Sequence, residues 1–151
     1  MKRLFCFISA VILLVSVACA DDLPGFIQDW NKIAYIFGAP ELSEESAAKD
    51  GDNITFSGAG WDMTVTLTKA SVYSVVIHAD TVEMFLPLCV NAGASVVKNK
   101  TVETLSRFQS NVLYQFLQIN ADAPGMSSMF GLYLFRLSKT ESGDLFEMVE
   151  Q

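Results

Sequence analysis

The sequence predicts an α+β fold: an antiparallel sheet of about five to six strands, made of a meander of three or four strands, a long helix and a C-terminal hairpin, with helices on one face. Three observations predict it. Residues 61–69 alternate, with Trp61, Met63, Val65 and Leu67 pointing one way and Asp62, Thr64, Thr66 and Thr68 the other, which is the period of a half-buried strand. Residues 101–119 repeat apolar side chains at Val102, Leu105, Phe108, Val112, Phe116 and Ile119, widened by Leu113 and Leu117, which is the period of a helix. Residues 130–138 and 144–150 are strand-like and are joined by Lys139-Thr140-Glu141-Ser142-Gly143, a turn-forming cluster.

The remaining elements follow in chain order. Residues 24–37 read as a helix: Asp22 caps its start, Pro24 suits the first turn, and Gly38 with Pro40 ends it. Its stripe is Ile27, Trp30, Ile33, Ala34 and Phe37. Residues 41–52 are polar and acidic, a short helical turn followed by the loop Asp50-Gly51-Asp52-Asn53. A short strand at 54–57 leads through Gly58-Ala59-Gly60 into the alternating one, and 71–79, rich in β-branched residues, continues the meander. In 81–90 Asp80 suits a helix cap, but Pro87 lies deep inside. A fourth strand or an irregular segment ending at Asn91-Ala92-Gly93 is therefore expected. Asn120 and Pro124-Gly125 stop the long helix. In 130–138, Phe130, Leu132 and Leu134 face one side and Tyr133, Phe135 and Leu137 the other. Two apolar faces predict a doubly covered strand or the wall of a ligand cavity.

Before these elements stands an export address. Lys2 and Arg3 precede fourteen uncharged, mostly apolar residues, 4–17, and Ala18-Cys19-Ala20 puts small residues where signal peptidase cuts. Fourteen is short of the ~20 a membrane span needs. Residues 1–20 are thus expected to be a signal peptide and 21–151 a single globular domain. Cleavage after Ala20 fits the Ala-x-Ala pattern. Ser16-Val17-Ala18-Cys19 also resembles a bacterial lipoprotein box, in which Cys19 would carry lipid, although Ser16 stands where a large aliphatic residue is usual. The protein is expected to be periplasmic or secreted, or else tethered through Cys19, its sole membrane contact.

Cleavage keeps all 17 acidic residues and lowers the basic count from 10 to 8, moving the net charge from −7 to −9. A body that negative repels phosphate backbones and anionic headgroups, which argues against nucleic acid as a partner. Of the three cysteines, Cys6 is removed, Cys19 is removed or lipidated, and Cys89 remains without an intramolecular disulfide partner. An exported domain without staples relies on its core and fits a bacterial envelope. The sequons at Asn53 and Asn99 carry no weight beside that.

Candidate chemistry is sparse. His78, the only histidine, stands two residues from Asp80, as a base and its orienter would on one strand face. No nucleophile motif accompanies them. Cys89 lies in the apolar run Phe85-Leu86-Pro87-Leu88-Cys89-Val90, which suits a core thiol and not a thiolate. Met126-Ser127-Ser128-Met129 offers two thioethers where copper(I) recruits three or more soft donors. Asp50-Gly51-Asp52-Asn53 lacks the later carboxylate of a calcium loop. No catalytic, cofactor or metal site is therefore assigned.

The long helix carries Ser106, Gln109, Ser110, Asn111, Gln115 and Gln118, with only Glu103 and Arg107 charged on the same side. Burying an amide costs far less than burying an ion, so such a face suits a surface that is sometimes covered. The expected function is a non-enzymatic exported protein that binds a protein, a second copy or an envelope component. The alternatives are a carrier with an apolar cavity between the long helix and the strand around Tyr133 and Phe135, and an enzyme using Cys89 or His78.

Overall fold

The computed structural model describes residues 22–69, 71–96, 101–121, 123, 125–141 and 143–151. The export features, with Ala18, Cys19 and Ala20, lie outside these residues, as do Asn99 and Pro124. Helix α1 (Leu23–Phe37) starts where Asp22 accepts the Gly25 N–H at 2.9 Å and stops at Gly38, whose φ of 76° is left-handed. It buries Leu23, Phe26, Trp30 and Ala34. After one 3-10 turn (Glu44–Ser46) come β1 (Ala48–Asp50), β2 (Asn53–Gly58), β3 (Trp61–Thr68) and β4 (Ser71–Ala79). Helices α2 (Val82–Val96) and α3 (Val102–Asn120) then cross over to β5 (Ser127–Phe130), β6 (Tyr133–Thr140) and β7 (Gly143–Glu150).

The fold is α+β, as the pattern predicts. Its seven strands form one antiparallel sheet in the order β1-β2-β3-β4-β7-β6-β5. The two meanders meet where β4 pairs with β7, with Ile77 opposite Phe146 and Val75 opposite Met148. All four are buried beneath the helices. The helices lie on that face alone. The opposite face presents Asp62, His78 and Leu145 in one cross-strand row and Thr64, Val76, Glu147 and Arg136 in the next.

Four expectations are corrected. The segment expected to be a strand or irregular is helix α2. Phe85, Leu88, Cys89, Ala92 and Val96 fall at helical spacing and are buried, and α2 lies between α1 and α3 and over β4. Pro87 costs one backbone bond, the one that would reach the Glu83 carbonyl in the exposed first turn. Burial of the whole C-terminal half of α2 offsets that loss. Second, the doubly apolar strand is two strands. Phe130 ends β5, Gly131 with φ 62° turns the chain, and Tyr133 begins β6. Reading through this turn made one face look like two. Third, residues 48–50 form an edge strand, placing Asp50-Gly51-Asp52-Asn53 at a hairpin turn where Gly51 has φ 59°. Fourth, Val102, Leu113 and Leu117 do not join the buried stripe of α3, which consists of Phe108, Val112, Gln115 and Ile119.

The space between α3 and β6 is filled by rings. Phe108 stacks on Phe130 with centroids 4.3 Å apart and meets Phe135 edge-on at 4.9 Å. On its other side Phe108 presses against Gly93 of α2, where an added Cβ would fall 2.1 Å from the ring. Tyr133 donates its hydroxyl to the Val72 carbonyl at 2.9 Å, using its one polar group inside the core.

Candidate functional site

Two concave regions bring together residues singled out by the sequence. The first is a polar cleft at the end of β3 and β4, lined by Gly60, Trp61, Asp62, His78, Ala79 and Asp80. The antiparallel register sets Asp62 directly across from His78. Asp80 follows β4 and its N–H donates to the Gly60 carbonyl at 2.9 Å, while its carboxylate lies over Gly60, where a Cβ would come within 3.1 Å of it. The sequence pairs His78 with Asp80 and passes over Asp62, because a cross-strand neighbour is invisible without the register. His78 Nδ1 is enclosed, with no hydrogen-bond partner among the described residues.

The second region lies on the helix layer. A groove of about 230 Å³ has Leu86, Pro87 and Val90 of α2 as its floor. Phe37 at the end of α1 forms one wall, and Gln109, Val112 and Leu113 of α3 form the other. None of the described residues that line it is charged. Further along α2, Gly93 lets Phe108 of α3 approach the backbone closely.

Beside the groove, α3 turns apolar side chains outward. Leu113 is 47% exposed, Tyr114 51% and Leu117 57%, and Ile36 next to Phe37 is 58% exposed. At ~150 Å² or more per large side chain, these four present on the order of 300 Å² of apolar surface before the groove is added. Val102, Ser106, Gln109, Leu113 and Leu117 recur every three or four residues and are all exposed, so they form one seam along the helix. Arg107 and Glu103 are paired with each other at 2.9 Å.

The six polar residues of α3 named by the sequence do not share a face. Ser106, Gln109 and Ser110 are exposed, and Asn111 and Gln118 are half-buried. Gln115 is buried and donates from Nε2 to Ser128 Oγ at 3.0 Å while accepting the Leu137 N–H at 2.9 Å. It is a bracket between helix and sheet and does not belong to the expected interaction face, whereas Leu113 and Leu117 are exposed. In the sequence the two leucines pass for core, because an apolar residue at the margin of a stripe has the same spacing as one inside it.

The other candidates take structural places. Cys89 is fully buried on α2, and burial, with a smaller push from the Asp144 charge, raises its thiol well above the ordinary value against a weaker backbone hydrogen bond that lowers it. Asn53 begins β2 and accepts from the Thr66 hydroxyl at 2.8 Å. Met129 lies on β5 opposite Leu134 and Met126 just before it, both exposed. Among the described residues no group of three or more His, Cys, Asp or Glu side chains is placed to hold a metal ion. No described helix is long and apolar enough to cross a membrane.

Compared with family models, with curated proteins and with solved structures, the chain matches none of them.

Proposed function

We propose that this protein is an exported, non-enzymatic binding domain that engages a protein partner through the helix layer, using the groove over α2 and the outward seam of α3. The observation that carries the reading is the exposure of Leu113 and Leu117 beside an uncharged groove. A monomer that keeps large aliphatic side chains in water at the rim of a concavity is displaying an interaction surface. The packed rings of Phe108, Phe130 and Phe135 favour a surface over an interior ligand, because they occupy the space an apolar carrier would need. The enclosed, unpartnered His78 Nδ1 and the buried Cys89 favour binding over catalysis. The address supports export: two cations, fourteen apolar or uncharged residues and Ala18-Cys19-Ala20 open the chain.

A photo-crosslinking residue at position 117, compared with one at exposed Tyr73 on β4, tests the reading in the native host. Discrete adducts from position 117 and none from position 73 are expected. Equal, diffuse adducts from both positions would contradict a dedicated surface.

A further inference from the structure

We propose that the groove over α2 receives an amphipathic helix of a basic partner protein, with one large apolar side chain seated between Phe37 and Leu113 and a lysine or arginine reaching Glu83. This inference rests on the docking reading above and adds the chemistry of the occupant.

The groove, at about 230 Å³, falls below the ~300–1,000 Å³ of small-molecule sites. It fits one anchor side chain of a larger partner, and such anchors in desolvated pockets dominate interface energies. The anchor does not sit alone. Leu113 forms part of the wall, and Leu117 lies one turn further along α3. An incoming helix presents apolar residues at the same three- and four-residue spacing, so one ridge can lie along the other.

Charge selects the partner. Glu83 is exposed and lies three and four residues before Leu86 and Pro87, a helical spacing that sets it just beyond the floor of the groove and outside its lining. Pro87 has no N–H to offer the Glu83 carbonyl, so the turn of α2 just before the groove carries an exposed carboxylate and a main-chain oxygen without its helical donor. Both are acceptors, and a lysine or arginine carries donors only. The rest of the chain acts in the same direction, with 17 acidic residues against 10 basic ones. A second copy would bring that same negative charge to the contact, whereas a basic partner is attracted to it.

The test uses two synthetic helical peptides of about 18 residues, long enough to hold a helix. One has leucines at three- and four-residue spacing with lysines between them, and the other has glutamates in place of the lysines. Binding to the purified protein is followed by fluorescence anisotropy, beside sedimentation equilibrium of the protein alone. The lysine peptide is expected to bind at least tenfold more tightly than the glutamate peptide. Glu83→Lys and Leu113→Ser, both at exposed positions, should each weaken it at least tenfold. Unchanged affinity in Glu83→Lys, or equal binding of the two peptides, overturns the basic occupant. A dimer that Leu113→Ser dissociates also overturns it, while leaving the docking surface in place. Indifference of both binding and association to Leu113→Ser removes the inference and the docking reading together.

Discussion

The side-chain oxygen of Gln115 accepts the backbone N–H of Leu137 at 2.9 Å, one residue beyond the last pair of β5 with β6. The helix thereby completes a ladder that the sheet leaves unfinished, since β5 has already ended and the Leu137 N–H is buried. Gln115→Ala is expected to destabilise the fold by ~1–3 kcal/mol, the cost of orphaning a buried donor. Chemical denaturation measures it, and a variant within ~0.5 kcal/mol of the parent would contradict the bracket.

Gly93 is fixed by its neighbour and not by its backbone angles. A Cβ there would overlap Phe108, a ring already packed against Phe130 and Phe135. Alanine ordinarily stabilises a helix by ~1 kcal/mol relative to glycine. Here Gly93→Ala should reverse that sign and cost at least ~1 kcal/mol net through overpacking. A denaturation midpoint shifted downward is the expected readout.

Cys89 gives a pH dependence of definite sign. Its native thiol is held well above its ordinary value of 9.0, first by burial and then by Asp144. The native state therefore keeps a proton that the unfolded chain releases above that value. The contribution is fully present below pH 9 and is lost as pH rises beyond it, by up to ~1.4 kcal/mol per pH unit. Cys89→Ala lacks this term, so the gap in stability between parent and variant should narrow from pH 8 to pH 10.5. A constant gap would show that the thiol ionises freely.

The export address is checked by the intact mass of the protein recovered from its host. A chain beginning at Asp21, or one beginning at an acylated Cys19, is expected. A full-length chain that retains Met1 in the cytoplasm would contradict export and the cysteine reasoning attached to it.

Much of the fold is legible where one physical rule dominates. The alternation of β3 places Met63 and Val65 inside, and the β-branched run of β4 begins and ends where its pattern does. Helix α3 is off by one residue at each end, within the fraying expected of helix boundaries. Legibility fails where two rules compete. In α2, Pro87 opposes a helical period, and tertiary burial decides the contest. Between β5 and β6, Gly131 hides a turn within an apolar run. On α3, Leu113 and Gln115 exchange places: the leucine is exposed and the amide is buried. Composition favours the opposite assignment, and only the position of the ridge on the sheet, with Leu137 needing an acceptor, reverses it.

The central claim is that the outward leucines of α3 serve binding and not folding. Leu113→Ser with Leu117→Ser in one chain, carrying the photo-crosslinker at position 36, measures this most directly. The account predicts a thermal midpoint within a degree or two of the parent, because both sites are exposed, together with loss of the discrete crosslinked adduct. An adduct of undiminished yield, or a fold weakened by more than ~2 kcal/mol as a core leucine would be, would contradict it.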